Sequence, residues 1–142
     1  MHTLSRLKQF NKLRIIRRIE VLIASRKLFS NWLLAGIKYY LIRRGIIKRS
    51  ITIKCCGNEY VLSPRVYSNI INDYYDGVFE ELECRDSLYA VFTYRGLKIR
   101  LYDSFEFLRD IVFENFIGGA YDDIDVDNRV VIDVGAGVGD TA

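Results

Sequence analysis

Seven residues near the end of the sequence have the types and spacing to hold a charged small molecule. They are Asp133, Gly135, Ala136, Gly137, Gly139, Asp140 and Thr141, within the stretch from Val130 to Ala142, VVIDVGAGVGDTA. The apolar run Val130–Ile132 reads as a buried parallel strand. Glycines after it let the backbone turn sharply and approach a ligand where a Cβ would clash. Asp140 and Thr141 then open a helix, whose first N–H groups face an anionic group. An acid at the strand end suits an ammonium. Together these residues predict a strand–turn–helix that binds a nucleotide or a related cofactor. Two other readings fit less well. Taking Gly137-Val-Gly139-Asp-Thr-Ala142 as the G-x-G-x-x-A dinucleotide fingerprint leaves Gly135 without a purpose and places Asp133 where that fingerprint does not use it. A glycine turn without a ligand leaves the acid and the alternating glycines to coincidence. No lysine follows the glycines, so the stretch is not a P-loop.

Other candidate chemistry is weaker. Asp123, Asp125 and Asp127 alternate like a calcium loop. The sixth position is Asn128 where that loop needs glycine, and the twelfth is Val134 where it needs glutamate, so calcium is not expected. The three cysteines are Cys55, Cys56 and Cys84. They form no C-x-x-C or Cys/His cluster, so no metal site is expected. Adjacent Cys55 and Cys56 point to opposite faces of a strand, so at most one could pair with Cys84. Reduced, partly buried thiols are the expectation. His2, the single histidine, is terminal and a poor candidate for a catalytic base.

The elements that must position these residues follow from composition and period. Half of the 142 residues are hydrophobic and 27% are charged, a globular composition. The net charge of +3 hides a polarity: residues 1–50 hold 13 Lys and Arg against one acid, and residues 51–142 hold 8 against 17. Such a split predicts a basic N-terminal arm on an acidic body. Residues 4–28 read as a helix with a broad apolar stripe that includes Leu13, Ile16, Ile19, Val21, Leu22 and Ile23, set among arginines and lysines. A second helix is expected at about 31–44, capped by Ser30 or Asn31 and closed by Gly45. Packed on the body, this hairpin would expose a solvated basic face; otherwise it would meet acidic lipid headgroups. Nucleic acid is disfavoured, because Tyr39 and Tyr40 are too few and too clustered for a stacking platform. The apolar run from Trp32 to Ile42 is too short to span a membrane. No signal peptide is legible, so a cytoplasmic place, with peripheral membrane contact as an option, is expected.

From residue 51 the period changes to two. Ile51–Cys55 and Tyr60–Leu62 predict a β-hairpin turning at Gly57-Asn58. Ser63-Pro64 then starts a helix over about 64–75. Strands follow at Phe79–Cys84, Leu88–Tyr94 and Leu97–Tyr102. Asp103 and Glu106 form a capping box for a helix over about 104–116 that would bury Phe107, Leu108, Ile111, Val112 and Phe116. The result is an α+β N-terminal region, a helical hairpin plus an antiparallel β cap. It divides into residues 1–50, 51–117 and 118–142.

The stretch Val131–Ala142 resembles motif I of class I S-adenosylmethionine-dependent methyltransferases. More narrowly, it is similar to the FkbM family, whose version commonly reads D-[IV]-G-A-N-x-G-D-T. Gly137 replaces the usual Asn, which returns the stretch to the general methyltransferase pattern. The approach Phe116-Ile-Gly-Gly-Ala-Tyr121 and the acidic loop after it are also similar to that family. The match covers about a tenth of the chain. The resemblance implies that residues 118–142 begin a Rossmann-like α/β core, with S-adenosylmethionine bound across the edge of a parallel sheet. In that reading Gly135, Ala136 and Gly137 cradle the methionine portion, Asp133 fixes the turn and reaches the amino group, and Asp140 and Thr141 hold the carboxylate side next to Gly139. Members methylate hydroxyl oxygens of sugars, glycolipids or small molecules.

The ribose-binding acid, the acceptor pocket and a catalytic base are expected beyond Ala142. The stretch as given is therefore expected to be inactive by itself, or to need a complementing chain. A reading from another class makes it a non-catalytic module, with the glycine turn structural and the basic helices docking to an anionic membrane face or a partner chain.

Overall fold

The computed structural model describes residues 2–102 and 105–118, with side chains from Lys12 onward. It is a mixed α+β structure in which helices are followed by small antiparallel sheets. The chain divides after Tyr75 into two compact units.

The first unit starts with α1 (His2–Ala24), which tightens into a 3₁₀ turn at Ser25–Lys27. Then come α2 (Trp32–Arg43), the strands β1 (Ile51–Cys55) and β2 (Asn58–Leu62), and α3 (Pro64–Tyr75). Helix α2 ends at a Schellman cap, as expected. Gly45 has φ +71°, its N–H donates to Ile42 O at 2.9 Å, and Ile46 N–H donates to Leu41 O at 3.0 Å. At the other end of α2, Asn31 is the N-cap residue but its side chain does not cap. It bonds β1 instead: Nδ2 donates to Thr52 O at 3.0 Å and Oδ1 accepts from Lys54 N–H at 2.7 Å. Ser30 N–H donates to Lys54 O at 2.9 Å. The segment before α2 thus covers the edge of β1 that β2 leaves open, which a two-stranded sheet needs.

β1 and β2 pair antiparallel with Cys55 opposite Asn58. The turn is therefore Cys56-Gly57, one residue earlier than the expected Gly57-Asn58. Both residues have positive φ, +51° and +81°, as a type I′ turn requires. Helix α3 spans the expected residues, with Ser63 Oγ accepting from Val66 N–H at 3.2 Å and Pro64 in the first position. Ile51, Ile53, Tyr67, Ile70 and Phe29 are its buried core. The Tyr67 ring lies between those of Phe29 (6.0 Å) and Tyr39 (5.3 Å).

The second unit is a three-stranded meander, β3 (Glu81–Cys84), β4 (Leu88–Tyr94) and β5 (Leu97–Tyr102), with β4 in the middle. β3 starts two residues later than expected. Leu88, Ala90, Phe92 and Leu101 are buried together with Phe79 and Phe105. The expected long helix over 104–116 is instead one short turn, α4 (Leu108–Ile111), that widens into a π-helical segment, Val112–Ile117. Phe107, expected in the core, is 57% exposed, while Leu108 and Val112 are buried. The helix starts after Phe107, so Glu106 does not stand three residues inside it; Asp103 lies outside the described residues. Gly118 closes the wide turn by donating to Phe113 O at 2.6 Å.

The thiols also depart from expectation. Cys55 is a buried thiol outside any disulfide, 3.5 Å from Cys56 Sγ, and burial pushes it up. Cys56 and Cys84 are each disulfide-bonded, so three reduced thiols is corrected to one. Among the described residues, no helix is long and apolar enough to cross a membrane.

Candidate functional site: an arginine-lined cleft

Asp133, Gly135, Ala136, Gly137, Gly139, Asp140 and Thr141 lie outside the described residues, as do Asp123, Asp125 and Asp127. The geometry that can be described is elsewhere, in the first unit. Helices α1, α2 and α3 enclose a cleft of about 520 Å3. Its rim is Arg14, Arg17 and Arg18 from α1 with Arg43 and Arg44 from α2. No acidic residue lines it.

Helical spacing explains the rim. Arg14, Arg17, Arg18, Val21 and Ser25 recur at three- and four-residue steps and so share one side of α1. Val21 and Ser25 on that side are buried, which turns the arginines inward to the cleft mouth. Ile15, Ile19 and Ile23 lie on the other side and are 55%, 52% and 47% exposed. The expected amphipathy is thus inverted. Leu13, Ile16, Ile19 and Ile23, expected to pack, face solvent, and among the described side chains of that stripe Val21 alone is buried, with Leu22 half-buried. Helix α2 repeats the arrangement. Ala35 and Gly36 are buried, whereas Leu33, Leu34 and Ile37 are exposed. α1 and α2 approach closely at Gly36, where an added Cβ would meet Leu22 Cδ1.

The wall on the α3 side is polar and already ordered. The Tyr39 hydroxyl donates to Ser68 Oγ at 3.1 Å, and Asn72 Nδ2 donates to Ser68 O at 2.7 Å. Tyr67 lies behind them, fully buried, with no hydrogen-bond partner for Oη among the described residues. Burial pushes its phenol up to about 12, and the nearby Ser25 hydroxyl tempers the rise. Ser25 Oγ itself donates to Leu22 O at 2.6 Å. Two rim arginines lean on aromatic faces: Arg17 over Tyr75 at 5.6 Å and Arg44 over Tyr40 at 5.1 Å. For Arg44, cation–π contact holds the guanidinium plane in place while leaving its N–H groups for other partners. Arg14, Arg18 and Arg43 form no ion pair among the described residues.

Chemically, the guanidiniums of Arg14, Arg18, Arg43 and Arg44, with no carboxylate in the lining, can bind a polyanion. The arrangement has no nucleophile–base pair. Comparison with known proteins adds nothing to this geometry: no family model matches the chain, and neither a curated protein nor a solved structure does. In the sequence these arginines read as a solvated face. The signal that they converge was present, because Arg14, Arg17 and Arg18 share a side with Val21 and Ser25. It was masked by a larger number of isoleucines on the opposite side.

Proposed function

We propose that this chain carries the first cofactor motif of an S-adenosylmethionine-dependent methyltransferase of the FkbM type, acting on a hydroxyl of a sugar, glycolipid or small molecule. The observation that carries the reading is the order of residue types from Val131 to Ala142: an apolar run, an acid, three alternating glycines, then Asp140-Thr141. S-adenosylmethionine supplies a sulfonium-bound methyl group. Bound here, it would supply that methyl group to the hydroxyl oxygen of the acceptor. This chain's contribution is positioning, which accounts for much of the rate in such in-line steps. Asp133 would hold the ammonium, and Asp140 and Thr141 would hold the carboxylate.

The test must register weak binding. Saturation-transfer NMR on the chain is expected to show contacts to S-adenosylmethionine that S-adenosylhomocysteine displaces, NAD does not displace, and Asp133→Ala removes. Transfer that survives Asp133→Ala, or no transfer at all, overturns the reading.

A second reading is favoured by the outward isoleucines. In it α1 and α2 dock on an anionic bilayer, with Ile15, Ile19 and Ile23 in the interface and the surrounding cations on lipid phosphates. The net charge of +12 on residues 1–50 argues for a lipid surface over a neutral protein groove. This reading suits a glycolipid acceptor. Flotation with phosphatidylcholine vesicles containing phosphatidylglycerol is expected. Ile19→Glu with Ile23→Glu should reduce partition by roughly 100-fold or more, since each buried isoleucine contributes about 1.5–3 kcal/mol. Equal flotation of that variant, or flotation without the anionic lipid, sinks it.

A further inference from the structure

We infer that the cleft between α1, α2 and α3 is a binding site for a diphosphate group. The inference goes beyond both readings above and depends on neither of them.

Charge sets the class of ligand. Setting aside Arg17, which is engaged with its own neighbours, the rim places four guanidiniums, Arg14, Arg18, Arg43 and Arg44, around one cavity of about 520 Å3, with no acid in the lining. Like charges gathered in this way repel one another, and a fold normally offsets them with carboxylates. The first unit has few to spare. Residues 12–75 hold three acids, Glu20, Glu59 and Asp73, and none of them faces the cleft. Glu20 accepts from Tyr75 Oη at 2.6 Å, and Glu59 pairs with Lys54 at 2.9 Å. A single carboxylate would leave most of the rim unmatched. A phosphomonoester brings a charge of about −1.5 to −2. A diphosphate brings more, along with enough oxygens for several bidentate guanidinium contacts.

Shape and lining agree. The arginines come from two helices on either side of the opening, so two phosphates can be held from both sides. Beneath them the Tyr39–Ser68–Asn72 bonds order the wall before any ligand arrives, which lowers the entropy lost on binding. Val21, Leu22 and Ile71 give the same cavity an apolar side, where the organic part of a diphosphate ester fits. A soluble ester and a membrane lipid can each supply that part, and the phosphate chemistry is common to both.

The experiment uses the full chain and two probes: inorganic pyrophosphate by calorimetry, and phosphatidylcholine vesicles doped with a long-chain prenyl diphosphate by flotation. Vesicles with phosphatidylglycerol at matched charge are the control. Saturable pyrophosphate binding at one site per chain supports a soluble source. Preference for the prenyl diphosphate vesicles over the matched control, with pyrophosphate silent, supports a lipid source. In either case Arg14→Gln with Arg18→Gln, and Arg43→Gln with Arg44→Gln, should weaken binding by about tenfold or more per arginine. Arg26→Gln with Lys27→Gln, outside the cleft, should not. A second measurement needs no variant. The probe that binds should shield Arg14, Arg18 and Arg43 of the unaltered chain from phenylglyoxal, read by mass spectrometry, and leave Arg26 reactive. Binding of neither probe, equal loss in the Arg26/Lys27 control, or uniform shielding overturns the inference. Flotation on phosphatidylglycerol that the cleft variants leave intact separates this site from docking through the isoleucines.

Discussion

Among the described residues Tyr67 has the largest fully buried side chain, and its hydroxyl has no partner. An unpaired buried hydroxyl costs about 1–3 kcal/mol, so removing it should help or do nothing. Tyr67→Phe is expected to leave stability unchanged or raise it by up to about 1 kcal/mol in urea unfolding. A loss larger than that would mean that Oη bonds Ser25 after all. Glu83 is the opposite case. It accepts from Arg100 Nε at 2.7 Å and Nη2 at 3.1 Å, with Lys98 Nζ at 3.3 Å. Arg100 first, and Lys98 after it, hold its carboxyl down at about 2 against an ordinary 4.5. A depressed carboxyl stabilises the fold above its unfolded value and loses that contribution as pH falls. Glu83→Gln should therefore unfold at lower urea than the unaltered protein at pH 7, with the gap closing between 4.5 and about 2. A gap independent of pH would assign the effect to packing. Neither residue's role was legible in sequence, because each depends on groups brought together across strands or helices.

At the scale of elements, local rules performed well where a residue type has one use. Gly45 was expected to close α2, and it does so with positive φ and nothing within 4 Å of an added Cβ. The cost of filling that position is then purely conformational. Gly45→Ala should lose about 1 kcal/mol, with Gly45→Asn losing less; thermal unfolding reads both, and equal midpoints for all three would dismiss the cap. Ser63-Pro64 and the alternating strands were legible for the same reason. Three misses have physical causes. Cys56 adopts the positive φ that the turn rule assigns to Gly or Asn, which shifted the hairpin turn by one residue. Asn31, a natural cap, is drawn away by the open edge of β1. The apolar stripe of α1 was found but assigned to the wrong side, because periodicity locates a stripe and says nothing about what it faces. The arginines follow the same rule: composition shows only their charge, while their spacing relative to Val21 carries the information.

Over the whole molecule the decisive quantity is the separation of charge. Residues 1–75 carry 15 Lys and Arg against 3 acids, and residues 76–142 carry 6 against 15. The net of +3 would predict weak mutual repulsion between copies. The separation predicts attraction, because the basic part of one copy can meet the acidic part of another at a distance where net charge is a minor term. At low ionic strength the screening length is about 30 Å, comparable with a small domain; in 0.1 M salt it is about 10 Å. Light scattering at low salt should therefore show association that dissolves as salt is added through the physiological range. The exposed isoleucines of α1 and the exposed leucines of α2 make the competing prediction. Association through apolar faces is unaffected by screening and strengthens with sulfate. If particle size grows with sulfate, the apolar faces dominate, and Ile19→Glu with Ile23→Glu should abolish it. If size falls with sodium chloride and that variant changes nothing, charge governs. The second outcome also bears on ligand binding. A rim of arginines already engaged by another copy's acids would bind pyrophosphate more weakly as protein concentration rises, and dilution should restore it.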